Sequence, residues 1–316
     1  MSLRLSTAPH IRSPRSSTRL MLNVIIALMP AAFFGVYNYG VKALMVILVS
    51  MATAVLSEFS WQKITQRPVR IRDCSALVTG LILALVVTPE TPWWMIMIGS
   101  AFAIIVVKEL FGGIGDNFLN PALAARAMLL ASWPSVLTTH TAIVSKFGEV
   151  DAVAMATPLA SNLEELGIKF SYMDLLIGRI PGVIGETCKL AIIVGFVYLI
   201  LSRTVTWRIP AFTVLSAFVF AWIFGLDPLY TILSGGLIFA AAFMANDYTT
   251  SPMSSYAQIV YACGIGLITV IIRKWGSYPE GATYAVLFMN LLTPLLDRYI
   301  PHKVYGHKKT GEVKAQ

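Results

Sequence analysis

Ten apolar stretches joined by polar links leave this chain few ways to fold. They run over 21–37, 41–61, 74–88, 93–110, 121–133, 186–201, 210–225, 229–246, 257–272 and 282–296. A hydrocarbon core offers no water to backbone N–H and C=O groups, so segments that enter it fold as helices that satisfy their own hydrogen bonds. Hydrophobic residues make up 57% of the chain and charged residues 13%, whereas a soluble domain is about 25% charged. The pattern excludes a water-soluble globular domain and predicts an all-α polytopic membrane protein. A spanning helix needs about 20 residues, so the third and fifth stretches are too short to cross unaided.

Charge sets the expected orientation. If all ten segments cross with residues 1–20 inside, the cytoplasmic side collects sixteen Lys and Arg and the opposite side seven. That bias follows the positive-inside rule. The chain therefore reads as ten transmembrane helices with both termini cytoplasmic, and residues 134–185 lie on the outer face. The tail 1–20 is polar and arginine-bearing and has no small-residue cleavage site, so it reads as a retained cytoplasmic tail. The net charge of +8 belongs to such basic loops; no basic, aromatic-studded soluble segment suggests nucleic acid.

A faint internal repeat divides the chain. GLILALVVT from Gly80 resembles GLIFAAAFM from Gly236, and FGGIGDNFLNPA before the fifth segment has a counterpart in WGSYPEGATYA before the tenth. The offset is five helices, an odd number, so the second copy is inverted. Two inverted five-helix repeats with short or broken helices near the midplane can build a binding site within the bilayer. Chance recurrence of small residues gives similar matches. The expected organisation is a tail at 1–20, repeats at 21–133 and 186–297, an outer loop at 134–185 and a cytoplasmic tail at 298–316.

Few residues carry chemistry. Cys74, Cys188 and Cys263 stand far apart, and the four histidines form no paired motif, so no metal site is expected. In the outer loop, Thr157 precedes Pro158, which disfavours helix before itself and fits the first helical position after it. Thr157 thus reads as the N-cap of a helix over 158–166, ended by Gly167. Its hydroxyl lies beside unpaired N–H groups and a positive dipole end that favour a phosphate; an ordinary capped helix accounts for the same residues. Around the fifth segment stand Asp116, Asn117, Asn120 and Arg126. A charge within a span faces a cavity or a partner, so Arg126 either meets a polar ligand or pairs with an acidic residue. Glu58, Lys108, Glu109, Asn246, Asp247 and Asn290 fall near segment ends, where solvated or structural roles are expected, and Glu58 is a candidate ion-coupling carboxylate.

SPRSSTRLMLNVIIALMPAAFFGVYNYG, FGGIGDNFLNPALAARAMLL, MATPLA and GSYPEGATYAVLFMNLLTPLLDRYIPHKVYG together resemble the RnfD family, the D subunits of Rnf ion-translocating ferredoxin:NAD oxidoreductases. This family is related to the B subunits of sodium-pumping NADH:quinone reductases. The resemblance covers nearly the whole chain. It implies an FMN joined through its phosphate to Thr157 by a flavin transferase, whose pattern is met by Asp151, Ala156 and Thr157, with Pro158 following. Ala154 and Met155 depart from that pattern, which usually has Ser or Thr and then Gly. It also implies a non-covalent riboflavin within the helices, placed here near Asn117, Asn120 and Arg126. The implied role is an electron-transfer subunit of the prokaryotic cytoplasmic (inner) membrane, working with the other Rnf subunits (A, B, C, E and G) and coupled to Na+ or H+ movement. It is not expected to be catalytic alone. A small-solute permease or channel of inverted-repeat type, or a non-redox membrane scaffold, are the rival expectations.

Overall fold

The computed structural model describes residues 16–138, 140–141, 154–155, 170–276 and 280–301. The first helix, α1, runs over Ser17–Ile64, with Ser16 Oγ accepting from Arg19 N at 3.2 Å as its N-cap. Straight, its 48 residues would reach about 70 Å, more than twice a hydrocarbon core of about 30 Å. It is not straight. Gly40 has φ 64° and ψ −146°, a conformation close to one open essentially to glycine alone. The chain reverses there. Ser17, Leu20, Met21 and Val24 line the same cavity as Ser75 and Lys108, and Lys108 in turn binds Glu58, so both ends of α1 meet at one end of the molecule. The first two apolar stretches are the two arms of this hairpin. The end that holds them is called the near end, and the Gly40 end the far end.

The rest packs against this hairpin. The second arm carries α2 (Ser75–Leu85) and α3 (Trp93–Phe102); Ser50 Oγ donates to Gly80 O at 2.7 Å and lies 3.0 Å from Ser100 Oγ. α3 continues through a π turn, Ala103–Lys108, and a 3-10 turn, Glu109–Phe111. α4 (Pro121–Ser132) and the short α5 (Pro134–Thr138) follow. His140–Thr141 pairs antiparallel with Ala154–Met155, His140 opposite Met155. After α6 (Tyr172–Ile177), a loop reaches back into the bundle, where Gly185 N donates to Leu85 O at 2.7 Å and Ile184 N to Val87 O at 3.2 Å. These bonds satisfy carbonyls left open where α2 stops short. α7 (Lys189–Leu201) then packs on the first arm of α1, with Asn23 Nδ2 donating to Thr204 Oγ1 at 3.0 Å and Tyr198 Oη donating to Asn23.

α8 (Arg208–Ile223) pairs with α11 (Ser255–Trp275), and α12 (Ala282–Tyr299) packs on α11. Between them the eighth apolar stretch is not the single helix that its sequence suggests. It breaks into α9 (Pro228–Leu233) and α10 (Leu237–Phe239), the latter running into a π turn, Ala240–Met244. Gly235, with φ 61°, sits at the break. Among the described residues, three helical stretches are long and apolar enough to cross a membrane: α1, Trp93–Phe111 and α11. α2, α4, α7 and α8 are shorter and apolar.

Leu83, Leu85, Met95, Ile96, Leu123, Leu129 and Tyr261 are buried in one core shared by both halves of the chain. Large apolar side chains such as Phe33, Leu201 and Trp222 point outward. An apolar outer face on this scale suits lipid rather than water.

Candidate functional site

Among the described residues, the buried charged side chains gather at two cavities at the near end and one cluster toward the far end. The first cavity measures about 240 Å³ and is bordered by α1, α2, α4, α7 and the π turn after α10. Its walls are largely apolar, including Met21, Val24, Ile82 and Phe243, with amide and carboxylate groups from Asn117, Asn120, Asn246 and Asp247. Asn120 is held firmly. As the N-cap of α4 its Oδ1 accepts from Ala122 N and Leu123 N, at 3.1 and 3.3 Å, while Nδ2 donates to Met244 O at 3.2 Å. Pro121 at the first helical position suits this start. Asn117 turns its amide to Leu119 O at 3.1 Å. Asp247, in the link after α10, accepts from Thr249 and Thr250. Burial pushes its carboxyl above the usual aspartate range, against the opposing pull of these hydrogen bonds.

Beside this cavity, Lys108 Nζ donates to Glu58 Oε1 at 2.5 Å and to Ser75 Oγ at 2.6 Å. Glu58, Lys108 and Glu109 are 1%, 3% and 2% exposed. Their positions near segment ends suggested solvated or structural roles; the solvated reading fails, because the helix ends are covered by the 67–73 link and the glycine turn after α3. Gln62 bridges this cluster to the loop: Nε2 donates to Glu109 Oε1 at 3.1 Å and Oε1 accepts from Arg70 N at 2.9 Å. A second cavity, about 210 Å³, opens under it, lined by Glu58, Gln62, Arg67, Arg70, Asp73, Glu109 and the turn 112–114.

Toward the far end, Arg126 Nη1 lies 3.3 Å from Glu186 Oε1, and Nη2 pairs with Glu280. Lys189 Nζ donates to Glu186 O at 2.5 Å and to Gly235 O at 2.6 Å. Arg273 donates to Glu280 O at 3.3 Å, to Ser234 O at 3.2 Å and to Thr231 O. Five charged side chains thus close over the break between α9 and α10. Lys189 and Arg273 were expected among the loop charges of the outer side; Lys189 is instead 1% exposed, and both spend their donors on carbonyls that the broken helix leaves open. Tyr172, at the start of α6, donates to Asp227 Oδ2 at 2.5 Å, and that bond raises the phenol's pKa.

The structure therefore brings Asn117 and Asn120 to one cavity and sets Arg126 apart, committed to two carboxylates. Of the two alternatives for Arg126, pairing with acidic residues is the one seen. Asp151, Ala156, Thr157 and Pro158 lie outside the described residues; Ala154 and Met155, between Asp151 and Ala156, form half of a short ribbon. Sequence reasoning missed Glu186, Lys189 and Glu280, although charges at the edges of the sixth and tenth apolar stretches were a usable signal. Among the described residues, no group of three His, Cys, Asp or Glu converges as a metal cage.

The family model described as the NQR2, RnfD, RnfE family matches residues 4–306. Curated relatives match along nearly their whole length. The D subunit of the Na(+)-translocating ferredoxin:NAD(+) oxidoreductase complex of Acetobacterium woodii is 44% identical, over 98% of this chain and 97% of its own. The D subunit of the proton-translocating ferredoxin:NAD(+) oxidoreductase complex of Clostridium ljungdahlii is 38% identical over 96% of each chain. The D subunit of the ion-translocating oxidoreductase complex of Halorhodospira halophila is 36% identical over 97% and 96%. With its fold of apolar helices and a match spanning almost every residue, the chain belongs to the NQR2, RnfD, RnfE family.

Proposed function

We propose that this chain is the D subunit of an ion-translocating ferredoxin:NAD+ oxidoreductase, a membrane electron-transfer subunit that works only within its complex. The observation that carries this reading is the near-full-length similarity to subunits of that name, 44% identical in the first case. Its partners are the other Rnf subunits (A, B, C, E and G) and a flavin transferase for maturation. It sits in a prokaryotic cytoplasmic membrane, with Thr157 on the outer face and both termini inside.

In this reading the chain makes ten crossings in two inverted five-helix repeats, of which the α1 hairpin forms the first two. A parallel between the halves supports the repeat. Lys108, at the end of the fourth segment, holds Ser75 at the start of the short third segment. Arg273, at the end of the ninth, holds Thr231 and Ser234 in the broken eighth.

Bound flavins would supply the electron carriage of this subunit. Thr157 would hold FMN through a phosphoester, and Asp151 and Ala156 complete the transferase pattern. The first cavity suits a flat, largely apolar ring system with one hydrogen-bonding edge: apolar walls surround the amides of Asn117, Asn120 and Asn246. Asn120 is pre-set by its cap, so its amide needs no reordering when a ligand arrives. Arg126 is not assigned to this ligand, because its guanidinium is taken by Glu186 and Glu280.

The test is flavin fluorescence of the denatured, electrophoresed chain, with mass spectrometry of the Thr157 peptide after expression with the transferase. FMN mass less one water on that peptide, lost in Thr157→Ala, is the expected result. An unmodified peptide would sink the covalent-flavin reading.

A further inference from the structure

Tyr261, on α11, and Asn290, on α12, carry polar groups where apolar side chains would pack without penalty. They are 0% and 1% exposed, and Tyr261 belongs to the apolar core with Ile265, Val286 and Met289. A phenol and an amide buried there cost free energy unless their polar groups are bonded. The bonds they make run toward the first cavity. Asn290 Oδ1 accepts from Asn120 N at 3.2 Å, while its Nδ2 donates to Tyr261 Oη at 2.6 Å and to Val286 O at 3.3 Å. The neighbours fix this orientation, because the opposite one would set an NH2 group against the Asn120 N–H. Asn120 carries the chain onward. Its Oδ1 caps α4, and its Nδ2 donates to Met244 O in the π turn after α10. One buried chain of hydrogen bonds thus joins α11, α12, the start of α4 and that π turn.

Asn120 is the member of the chain that lines the cavity. One Nδ2 hydrogen goes to Met244 O, and the second is uncommitted among the described residues. We propose that Tyr261 and Asn290 are positioning residues for the ring system bound in the first cavity: acting through Asn120, they aim the donor that meets the ring's hydrogen-bonding edge. The proposal rests on the flavin reading of that cavity. A cap residue's own N–H has no partner in the helix it starts, so without Asn290 that donor would be open and the link carrying Asn117 and Asn120 would lose its anchor to α12. A donor aimed at the edge where negative charge builds up stabilises the electron-rich ring more than the oxidised one. It does so only while its own position is held from behind. Tyr261 and Asn290 therefore raise the ring's affinity for electrons without touching it.

The experiment is a redox titration of the purified, assembled complex, with riboflavin content measured after acid extraction, which leaves covalently held FMN on the protein. Asn290→Leu should lower the midpoint potential of one flavin by about 59 mV, a tenfold change for one electron, and leave the other flavins unmoved. Tyr261→Phe, which removes only the hydroxyl, should shift the same flavin in the same direction by less. Because both residues act through Asn120, the double variant should match Asn290→Leu alone. A merely structural pair would lower the apparent Tm of the complex without moving a potential. Full riboflavin content with native potentials in both variants would overturn the positioning role and leave the flavin reading standing, and fully additive shifts would break the chain through Asn290. A native complex that yields no riboflavin would overturn both. If Asn290→Leu does not assemble, Tyr261→Phe is read in its place, and an unmoved potential there counts against the proposal.

Discussion

Arg126 binds two carboxylates from distant parts of the chain, Glu186, sixty residues on, and Glu280, 154 residues on. Breaking a buried pair by removing one partner costs about 3–5 kcal/mol, chiefly because a charge is left alone in a poor solvent. Arg126→Met should therefore lower the apparent Tm of the detergent-solubilised protein strongly, and adding Glu186→Gln and Glu280→Gln should recover part of the loss. Asp247 gives a pH signature of the opposite kind. Its folded pKa is raised, so the stability linked to its protonation is present below the ordinary aspartate range and is lost as pH rises through the raised value. Asp247→Asn should flatten that fall in a series of thermal melts across mildly acidic pH. At this scale the sequence was partly legible. Asn117 and Asn120 stood out because polar residues at the start of an apolar stretch need a reason. The partners of Arg126 did not, because no spacing rule predicts which side chains meet across sixty residues or more.

Among the elements, the α1 hairpin depends on one residue. A Cβ at Gly40 would meet nothing within 4 Å, so Gly40→Ala tests backbone strain alone. The cost should be about 1–3 kcal/mol, read as a drop in apparent Tm without a change in helical circular dichroism. Gly236→Ala tests close packing instead, since the new Cβ would collide with the Glu186 carboxylate. Overpacking of this kind costs about 1–3 kcal/mol and should loosen the far-end ion cluster. Segment positions and the shortness of the third and fifth stretches were readable from length and hydropathy. The break in the eighth was not read, although Ser234, Gly235 and Gly236 mark it. A continuous apolar run looks the same to a hydropathy count whether its helix is whole or split; what splits it is Lys189 and Arg273 binding the carbonyls from elsewhere.

Across the molecule, near and far ends become testable as sides of a membrane. In a background with Cys74, Cys188 and Cys263 replaced, Lys42→Cys should react with an impermeant maleimide from outside intact cells. Arg298→Cys should react only in inverted vesicles. Labelling of both from one side would refute the ten-crossing reading. The two halves are also interdependent. The Leu85 and Val87 carbonyls find their donors in Gly185 and Ile184, which a ribosome makes about a hundred residues later. During synthesis the first half must therefore wait in the bilayer with open acceptors, held by lipid headgroups, water or an insertase. Expressed alone, it should be degraded quickly, and co-expression of the second half as a separate chain should rescue it.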